Sequence, residues 1–321
     1  MRRAAALAIL LAATGAAAAS DDFAYVREIP AGASVVIVDA RALDDCKAKS
    51  LAGARCLPSA DFLGPQRRLP DARNLLWLLG TAGLAGDERV LVVGQDVAAR
   101  DFVAGLLHLA GQRSVLVLTD PVARLLASGA ASGPGRERAT IREAVFEAPM
   151  RDDLLVLRTE LVAMRPWPML LDGRTDREYW GEAVRAARTG HLPGAISLPA
   201  QELRSALDPA AARPVLPDPA AEPPVAYAHD AYEGLAYLTL LAAGHGVRAR
   251  LYAEGWSEWA ADGALPADAL GFRDVAAAPI EHETAPRTAN ALRVDATLVA
   301  ALALVLAAFA FGRWSARRRR A

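Results

Sequence analysis

The chain of 321 residues has little cysteine, little net charge and none of the common catalytic fingerprints. A formal net charge of -1 excludes a globally basic surface, so the composition gives no indication of nucleic-acid binding. The five histidines show no spacing typical of a metal site. No phosphate loop, dinucleotide fingerprint or Ser/His/Asp order stands out either. We therefore expect no metal and no cofactor.

Cysteine occurs only twice, as Cys46 and Cys56. In an exported chain an even number favours a disulfide, and closing this loop would contribute about 2–3 kcal/mol on a chain-entropy account. Two independent buried thiols are the alternative. A redox-active pair is a third possibility, because Lys47 and Lys49 beside Cys46 would favour a thiolate if that cysteine were free.

Both ends of the chain carry segments typical of export and membrane attachment. Arg2 and Arg3, followed by an apolar run and small residues, predict a signal peptide over residues 1–19. A second apolar run predicts a membrane-spanning helix over 294–314, because it is just long enough for a hydrocarbon core of ~30 Å. The arginines of the basic tail at 315–321 place the C-terminus in the cytoplasm. An uncleaved anchor and a buried core helix are the respective alternatives. The expectation is a single-pass protein of the cytoplasmic (inner) membrane with its body in the periplasm.

Between these ends, short apolar runs alternate with polar helical segments, which predicts an α/β fold with parallel sheets flanked by helices. The pattern occurs twice: Asp39, Gly94 and Gly111 correspond to Asp172, Ala228 and Gly244, at offsets of 133, 134 and 133 residues. A repeat of this length indicates domain duplication, because solenoid repeats have periods of roughly 20–50 residues.

The repeat sets the expected domain boundaries. We predict domain 1 at 22–131, a linker at 132–151, domain 2 at 152–275 and a tether to the membrane at 276–293. Glycine, serine and proline in the two connecting segments are typical of linkers. Domain 2 ends with Trp256 and Trp259, which we interpret as packing residues. Domain 1 lacks this pair and is the more diverged copy.

Residues 169–199 carry the most specific motif, MLLDGRTDREYWGEAVRAARTGHLPGAISLP. This segment resembles the rhodanese-like (sulfurtransferase) family, in which it commonly reads LLDVR…E(Y/F)…GHIPGAINLP. The matching residues are Asp172, Arg174, Glu178, Tyr179, His191, Pro193, Gly194, Ala195 and Pro199. The resemblance implies two tandem rhodanese-like domains. We expect Asp172, Arg174 and Glu178 to form an ion-pair network, and His191 to fix its turn by hydrogen bonding.

The resemblance also implies transfer of sulfane sulfur through a cysteine persulfide. In the family the cysteine ends a buried strand, where backbone amides and a helix N-terminus stabilise a thiolate. Here Ala228 follows the corresponding strand of domain 2, and Gly94 follows that of domain 1. Neither residue can become a persulfide, so we expect degenerate loops with no catalytic residue.

The loop of domain 2 remains a candidate ligand-binding site. Its residues are Ala228, His229, Asp230, Ala231, Tyr232, Glu233 and Gly234, and Arg100 is the candidate in domain 1. Asp230 and Glu233 would repel thiosulfate or a persulfide anion. A cysteine introduced at Ala228 alone is therefore expected to restore little activity. Arg100 would still favour an anion beside Gly94.

These observations predict a membrane-anchored periplasmic protein without persulfide chemistry. It would act as a binding or regulatory module in sulfur-compound or redox metabolism, for a periplasmic partner protein or a small sulfur anion. One alternative is an enzyme of the thiosulfate sulfurtransferase type, or a thiol redox protein, that uses Cys46 and Cys56 or a partner's thiol. The other is a structural subunit of a membrane-anchored assembly.

Overall fold

The structure is a computed structural model, and it describes residues 22–30, 34–208, 210–211 and 222–269. These residues belong to one compact unit that ends at Leu270, and a second unit, Gly271–Ala321, lies outside them. The predicted signal peptide, tether, membrane-spanning helix and basic tail therefore also lie outside the described residues. Within the described ranges, no helix combines the length and the apolar character needed to cross a bilayer.

The first half of the chain (residues 22–151) forms a five-stranded parallel sheet with helices around it. Its elements are β1 (Asp22–Val26), β2 (Val36–Asp39), α1 (Leu43–Ala48), β3 (Ser50–Leu51), β4 (Arg55–Cys56), α2 (Ala72–Thr81), β5 (Arg89–Val93), α3 (Val97–Leu109), β6 (Ser114–Leu118), α4 (Val122–Ala127) and β7 (Ser132–Gly133). The sheet order is β1-β6-β5-β2-β4, and β3 pairs with β7 outside it. The inner strands β5 and β6 are continuous apolar runs, because a parallel sheet covered by helices is buried on both faces.

The second half (residues 152–269) repeats this arrangement in shorter strands. Its elements are α5 (Arg158–Ala163), β8 (Leu170–Asp172), α6 (Asp176–Tyr179), β9 (Ile196–Ser197), α7 (Ala200–Ser205), β10 (Val225–Tyr227), α8 (Ala231–Thr239), β11 (Arg250–Leu251) and α9 (Gly255–Ala261). The sheet order is β11-β10-β8-β9, and Leu155 bridges Leu251 where β1 would pair in the first half. The predicted α/β fold with parallel sheets flanked by helices is confirmed.

The two halves pack on each other through α3 and α8. The Thr239 hydroxyl donates to the carbonyl of Asp101 at 2.8 Å. On the same face, a Cβ atom added to Gly105 would lie 2.5 Å from the carbonyl oxygen of Leu235. Under the 134-residue offset these two contacts exchange, because Asp101 corresponds to Leu235 and Gly105 to Thr239. The interface therefore repeats the internal symmetry of the sequence.

The segment that follows α4 lies along the first half. It contributes β7, and Arg136 then forms a bridge with Arg55 at the free edge of β4. Gly135 packs against both sulfur atoms of the Cys46–Cys56 disulfide, so any side chain at this position would collide with them. Both cysteines are fully buried. The predicted disulfide is confirmed, and it joins α1 to β4 across a sequence separation of 10 residues.

Candidate functional site

The two predicted loops have the same local geometry. In each half a buried central strand, β5 or β10, ends one residue before the loop, and a helix begins after it. We call residues 94–96 cradle 1 and residues 228–230 cradle 2. Asp96 caps α3 by accepting from the Ala99 amide at 2.7 Å. Asp230 caps α8 by accepting from the Glu233 amide at 3.0 Å. Both cradles thus lead into a helix N-terminus, where the exposed amides favour negative charge.

Cradle 1 is closed by Arg100, whose side chain is only 4% exposed. A Cβ atom on Gly94 would lie 3.0 Å from the Cβ of Arg100. The guanidinium donates to Asp101 at 2.9 Å and to the carbonyls of Leu118 and Thr119 at 2.9 and 3.0 Å. The donors of Arg100 are therefore engaged inside the protein, and anion binding by Arg100 beside Gly94 stays a prediction.

Cradle 2 differs at the position that corresponds to Arg100, where the second half has Gly234. A cavity of about 290 Å³ lies beside cradle 2, and Ala228 belongs to its lining. Tyr232, Glu233 and Arg185 contribute polar groups to the same cavity, and Ala98 of the first half completes one side. Ala228 itself is almost fully buried, with an exposure of 2%.

The carboxylates of cradle 2 are paired rather than free. Arg185 binds Glu233 at 2.5 Å and Glu178 at 3.1 Å. Arg67, which comes from the first half, lies 3.3 Å from Asp230. The hydrogen bond to Glu233 raises the pKa of the Arg185 guanidinium further, so this group stays charged. The two carboxylates are thus compensated by arginines, and an anion entering the cavity would have to compete with them for Arg185.

His229 and Tyr232 complete the polar part of the loop. His229 is half-buried, and its Nδ1 has no hydrogen-bond partner among the described residues. Burial lowers the pKa of His229, and the nearby charge of Arg185 lowers it further. Tyr232 donates to Asp96 at 3.4 Å and carries the Arg67 guanidinium 4.0 Å from its ring centroid. Burial, and then the charge of Asp96, raises its pKa to about 12, so Tyr232 is a neutral link between the cradles.

The remaining loop residues have packing roles. Ala231 is buried. Gly234 lies against Leu251, so that a Cβ atom added to the glycine would come within 3.2 Å of the leucine side chain. Trp256 and Trp259 are buried as predicted, with exposures of 2% and 0%.

The predicted ion-pair network is present in part. Arg174 binds Asp172 at 2.6 Å in a fully buried pair, and the hydroxyl of Tyr227 donates to the same carboxylate at 2.7 Å. Glu178 is not part of this pair, because it bonds to Arg185 instead. His191 fixes its turn as expected, through Nδ1 at 3.0 Å from the carbonyl of Tyr179.

Sequence reasoning missed several residues of this region. The first half contains a second such pair, in which the buried Asp39 binds the partly exposed Arg41 at 2.7 Å. The repeat offset would have revealed this pair, because it aligns these residues with Asp172 and Arg174. Arg67 and Arg185 have no such signal, since each reaches cradle 2 from an irregular segment. Among the described residues, no group of His, Cys, Asp or Glu side chains is arranged to hold a metal ion.

Comparison with known proteins identifies the class to which this architecture belongs. Residues 157–262, within the second half of the chain, match the rhodanese-like domain family. No curated protein sequence matches the chain significantly. A solved structure described as a probable thiosulfate sulfurtransferase is 25% identical with a TM-score of 0.52, over 75% of this chain and 99% of its own.

Two further solved structures share the fold at lower identity. The protein YnjE is 16% identical with a TM-score of 0.59, over 75% of this chain and 64% of its own. The anaerobic ergothioneine biosynthesis enzyme from Chlorobium limicola, solved with trimethyl histidine, is 18% identical with a TM-score of 0.56. That match covers 75% of this chain and 66% of the enzyme. The chain therefore has the fold of sulfurtransferase-type rhodaneses across both halves.

Proposed function

We propose that this chain is a membrane-anchored periplasmic protein of two rhodanese-like domains that binds its ligand without persulfide catalysis. The observation that carries the proposal is the position after each central strand, where Ala228 and Gly94 offer a methyl group and a hydrogen atom. Covalent sulfur transfer requires a nucleophile whose bond to sulfur can form and break. An alanine or glycine side chain has none.

The difference between the cradles indicates where binding occurs. Arg100 fills the region beside Gly94, whereas the cavity of about 290 Å³ above Ala228 is open. We infer that the second domain holds the ligand and that the first supports it, since Ala98 lines the same cavity. The ligand is a periplasmic partner protein or a small sulfur anion, in a binding or regulatory role in sulfur-compound or redox metabolism.

A thiosulfate-to-cyanide sulfurtransferase assay tests the absence of catalysis. We expect the purified full-length protein to form thiocyanate at the rate of the uncatalysed reaction, next to an active rhodanese as positive control. The variant with Cys46 and Cys56 both replaced by serine should give the same background rate. Turnover by the wild-type protein would refute the proposal, and its loss in the double variant would establish the enzymatic alternative.

The alternative of a redox or sulfur-transfer enzyme rests on Cys46 and Cys56. Both are joined in a disulfide, fully buried, and covered by Gly135. Neither residue lines the cavity above Ala228. A thiolate nucleophile has to be accessible to react, so these contacts support a structural role for the pair.

A further inference from the structure

A second cavity, of about 600 Å³, lies between the two halves and shares no lining residue with the cavity above Ala228. The first half contributes residues 66–68 of the loop at residues 64–68, and the second half contributes one face of α9 with its flanking residues, together with Arg158, Asp230 and Ala231. We call this cavity the interdomain cleft. Ligand sites occur preferentially at such domain boundaries, and a volume of roughly 300–1,000 Å³ is typical of them.

The loop at residues 64–68 is held in a strained conformation. Gln66 and Arg67 have φ angles of 58° and 56°, in the left-handed region that glycine normally occupies. Each such residue costs about 1–3 kcal/mol, and the conformation persists only where contacts enforce it. Here the amide of Gly64 donates to the Arg68 carbonyl at 2.8 Å, and Arg67 is anchored on Asp230 and Tyr232 of the second half. These contacts therefore hold the loop, and with it the backbone of Arg68, at the wall of the cleft.

The charges of the interdomain cleft are only partly paired. Arg67 binds Asp230 at 3.3 Å, and Arg158 lies 3.7 Å from Asp262. By contrast, Arg68 makes no ion pair with any residue in the described ranges. The same holds for the carboxylates of Glu254 and Glu258, although Glu258 accepts a hydrogen bond from the Tyr252 hydroxyl. Glu254 and Glu258 are four residues apart, so they share one face of the helix.

Arg68 thus lines one wall of the cleft as a cation without an ion-pair partner among the described residues. Glu254 and Glu258 line the other wall as carboxylates that likewise have no ion-pair partner there. We propose that the interdomain cleft binds a short zwitterionic peptide, with its carboxylate on Arg68 and its ammonium group on Glu254 and Glu258. A purely anionic ligand would be repelled by the glutamates, and a purely cationic one by the arginines. The cleft shares Asp230 with cradle 2, but Arg68, Glu254 and Glu258 do not line the cavity above Ala228, so the proposal does not depend on the function proposed for that cavity.

Isothermal titration calorimetry with the full-length protein in detergent micelles tests this assignment. The probe is triglycine, with N-acetyl-triglycine and triglycine amide as analogues that each lack one terminal charge. We expect triglycine to bind about tenfold more tightly than either analogue, because each loses a charged hydrogen bond. Equal affinities of the three peptides, or no detectable binding of triglycine, would overturn the proposal.

Variants then assign each charge to its partner. Arg68→Gln should lower the affinity for triglycine to that for the amide, and leave the affinity for the amide unchanged. Glu254→Gln should lower the affinity for triglycine but not the affinity for N-acetyl-triglycine. Arg73→Gln, at an exposed arginine of α2 outside the cleft, is the matched control and should change nothing. If Arg68→Gln folds normally by circular dichroism and binds all three peptides as the wild type does, the carboxylate is not on Arg68.

Discussion

Ala228 and Arg185 line the same cavity, and Arg185 is shared between Glu178 and Glu233. A cysteine at position 228 would supply a nucleophile near a helix N-terminus. An anionic substrate would still compete with two carboxylates for Arg185. We predict that Ala228→Cys alone gives little thiocyanate, and that adding Glu233→Gln raises the rate several-fold by freeing Arg185.

The matched control for this experiment is Ala228→Ser combined with Glu233→Gln, which has the same charge and nearly the same shape but no sulfur. It should be inactive in the thiosulfate-to-cyanide assay. If Ala228→Cys alone were as fast as the double variant, pairing of Glu233 with Arg185 would not limit the site. In that case the charge argument for cradle 2 would be wrong.

His229 makes the stability of the loop depend on pH. Burial and the charge of Arg185 lower the pKa of His229 in the folded protein. In the unfolded chain the pKa has its usual value of about 6.5, so as the pH decreases the unfolded chain binds a proton at this residue before the folded protein does. Because the unfolded state gains protons first, the free energy of unfolding falls as the pH decreases through this value. We predict that His229→Gln removes this part of the pH dependence, measured by urea unfolding between about pH 7.5 and 5.

Arg185→Gln provides an independent check of the cause. Removing this charge should move the pKa of His229 back toward its usual value and so reduce the slope of stability against pH. An unchanged slope in both variants would mean that another group controls stability in this range. The comparison uses slopes only, because loss of the Arg185 ion pairs changes stability at every pH.

At this scale the sequence predicts best where a residue belongs to a continuous motif. The buried pair of Asp172 and Arg174 and the hydrogen bond of His191 follow from the segment around them. Arg100 shows the opposite case. Its role depends on the carbonyls at the end of β6, which are eighteen and nineteen residues away in sequence. No local pattern distinguishes an arginine that binds an anion from one that fills the same space.

At the scale of elements, α3 and α8 join the two halves at close range. A Cβ atom on Gly105 would meet the Leu235 carbonyl at 2.5 Å and the Thr239 hydroxyl at 2.7 Å. We predict that Gly105→Ala lowers the free energy of unfolding by about 1–3 kcal/mol, because backbone atoms must move apart. The loss should appear even though alanine is favoured over glycine in a helix by about 1 kcal/mol. Urea unfolding measures it.

Gly234→Ala is the matched control, since Gly234 is also a buried helical glycine. Its added methyl group would meet the end of the Leu251 side chain at 3.2 Å, and a side chain can adjust where a backbone carbonyl cannot. We expect this variant to be close to neutral. If Gly105→Ala is as stable as Gly234→Ala, the two helices are packed less closely than the contacts indicate.

The elements themselves were largely predictable, because apolar runs of parallel strands are distinctive and the duplication provides each run twice. The repeat offset also relates the strand order of one sheet to that of the other. Helix pairing was not predictable in this way. The contact between α3 and α8 depends on the shape of two helix surfaces, and the small residue Gly105 becomes meaningful only once its partner is known.

At the scale of the whole molecule, compartment and stability are linked through the Cys46–Cys56 disulfide. Such a bond persists in an oxidising compartment and is kept reduced in a cytosol. The export that we propose from residues 1–19 would therefore supply the environment that the fold of the first half uses. The buried position of both sulfurs beneath Gly135 indicates that the reduced form loses stability rather than gaining a function.

The test compares two preparations of the protein. One is made with residues 1–19 and exported; the other is made in the cytoplasm without these residues and is kept reduced. We predict that the reduced form is less stable by about 2–3 kcal/mol in urea unfolding, because its unfolded chain has one constraint fewer. Oxidation of the reduced form should restore the lost stability. Replacing Cys46 and Cys56 with alanine should abolish the difference in stability between the two preparations. Exported protein in which Cys46 is readily alkylated without reductant would show that the pair is not a structural disulfide, and the thiol redox alternative would then have its nucleophile.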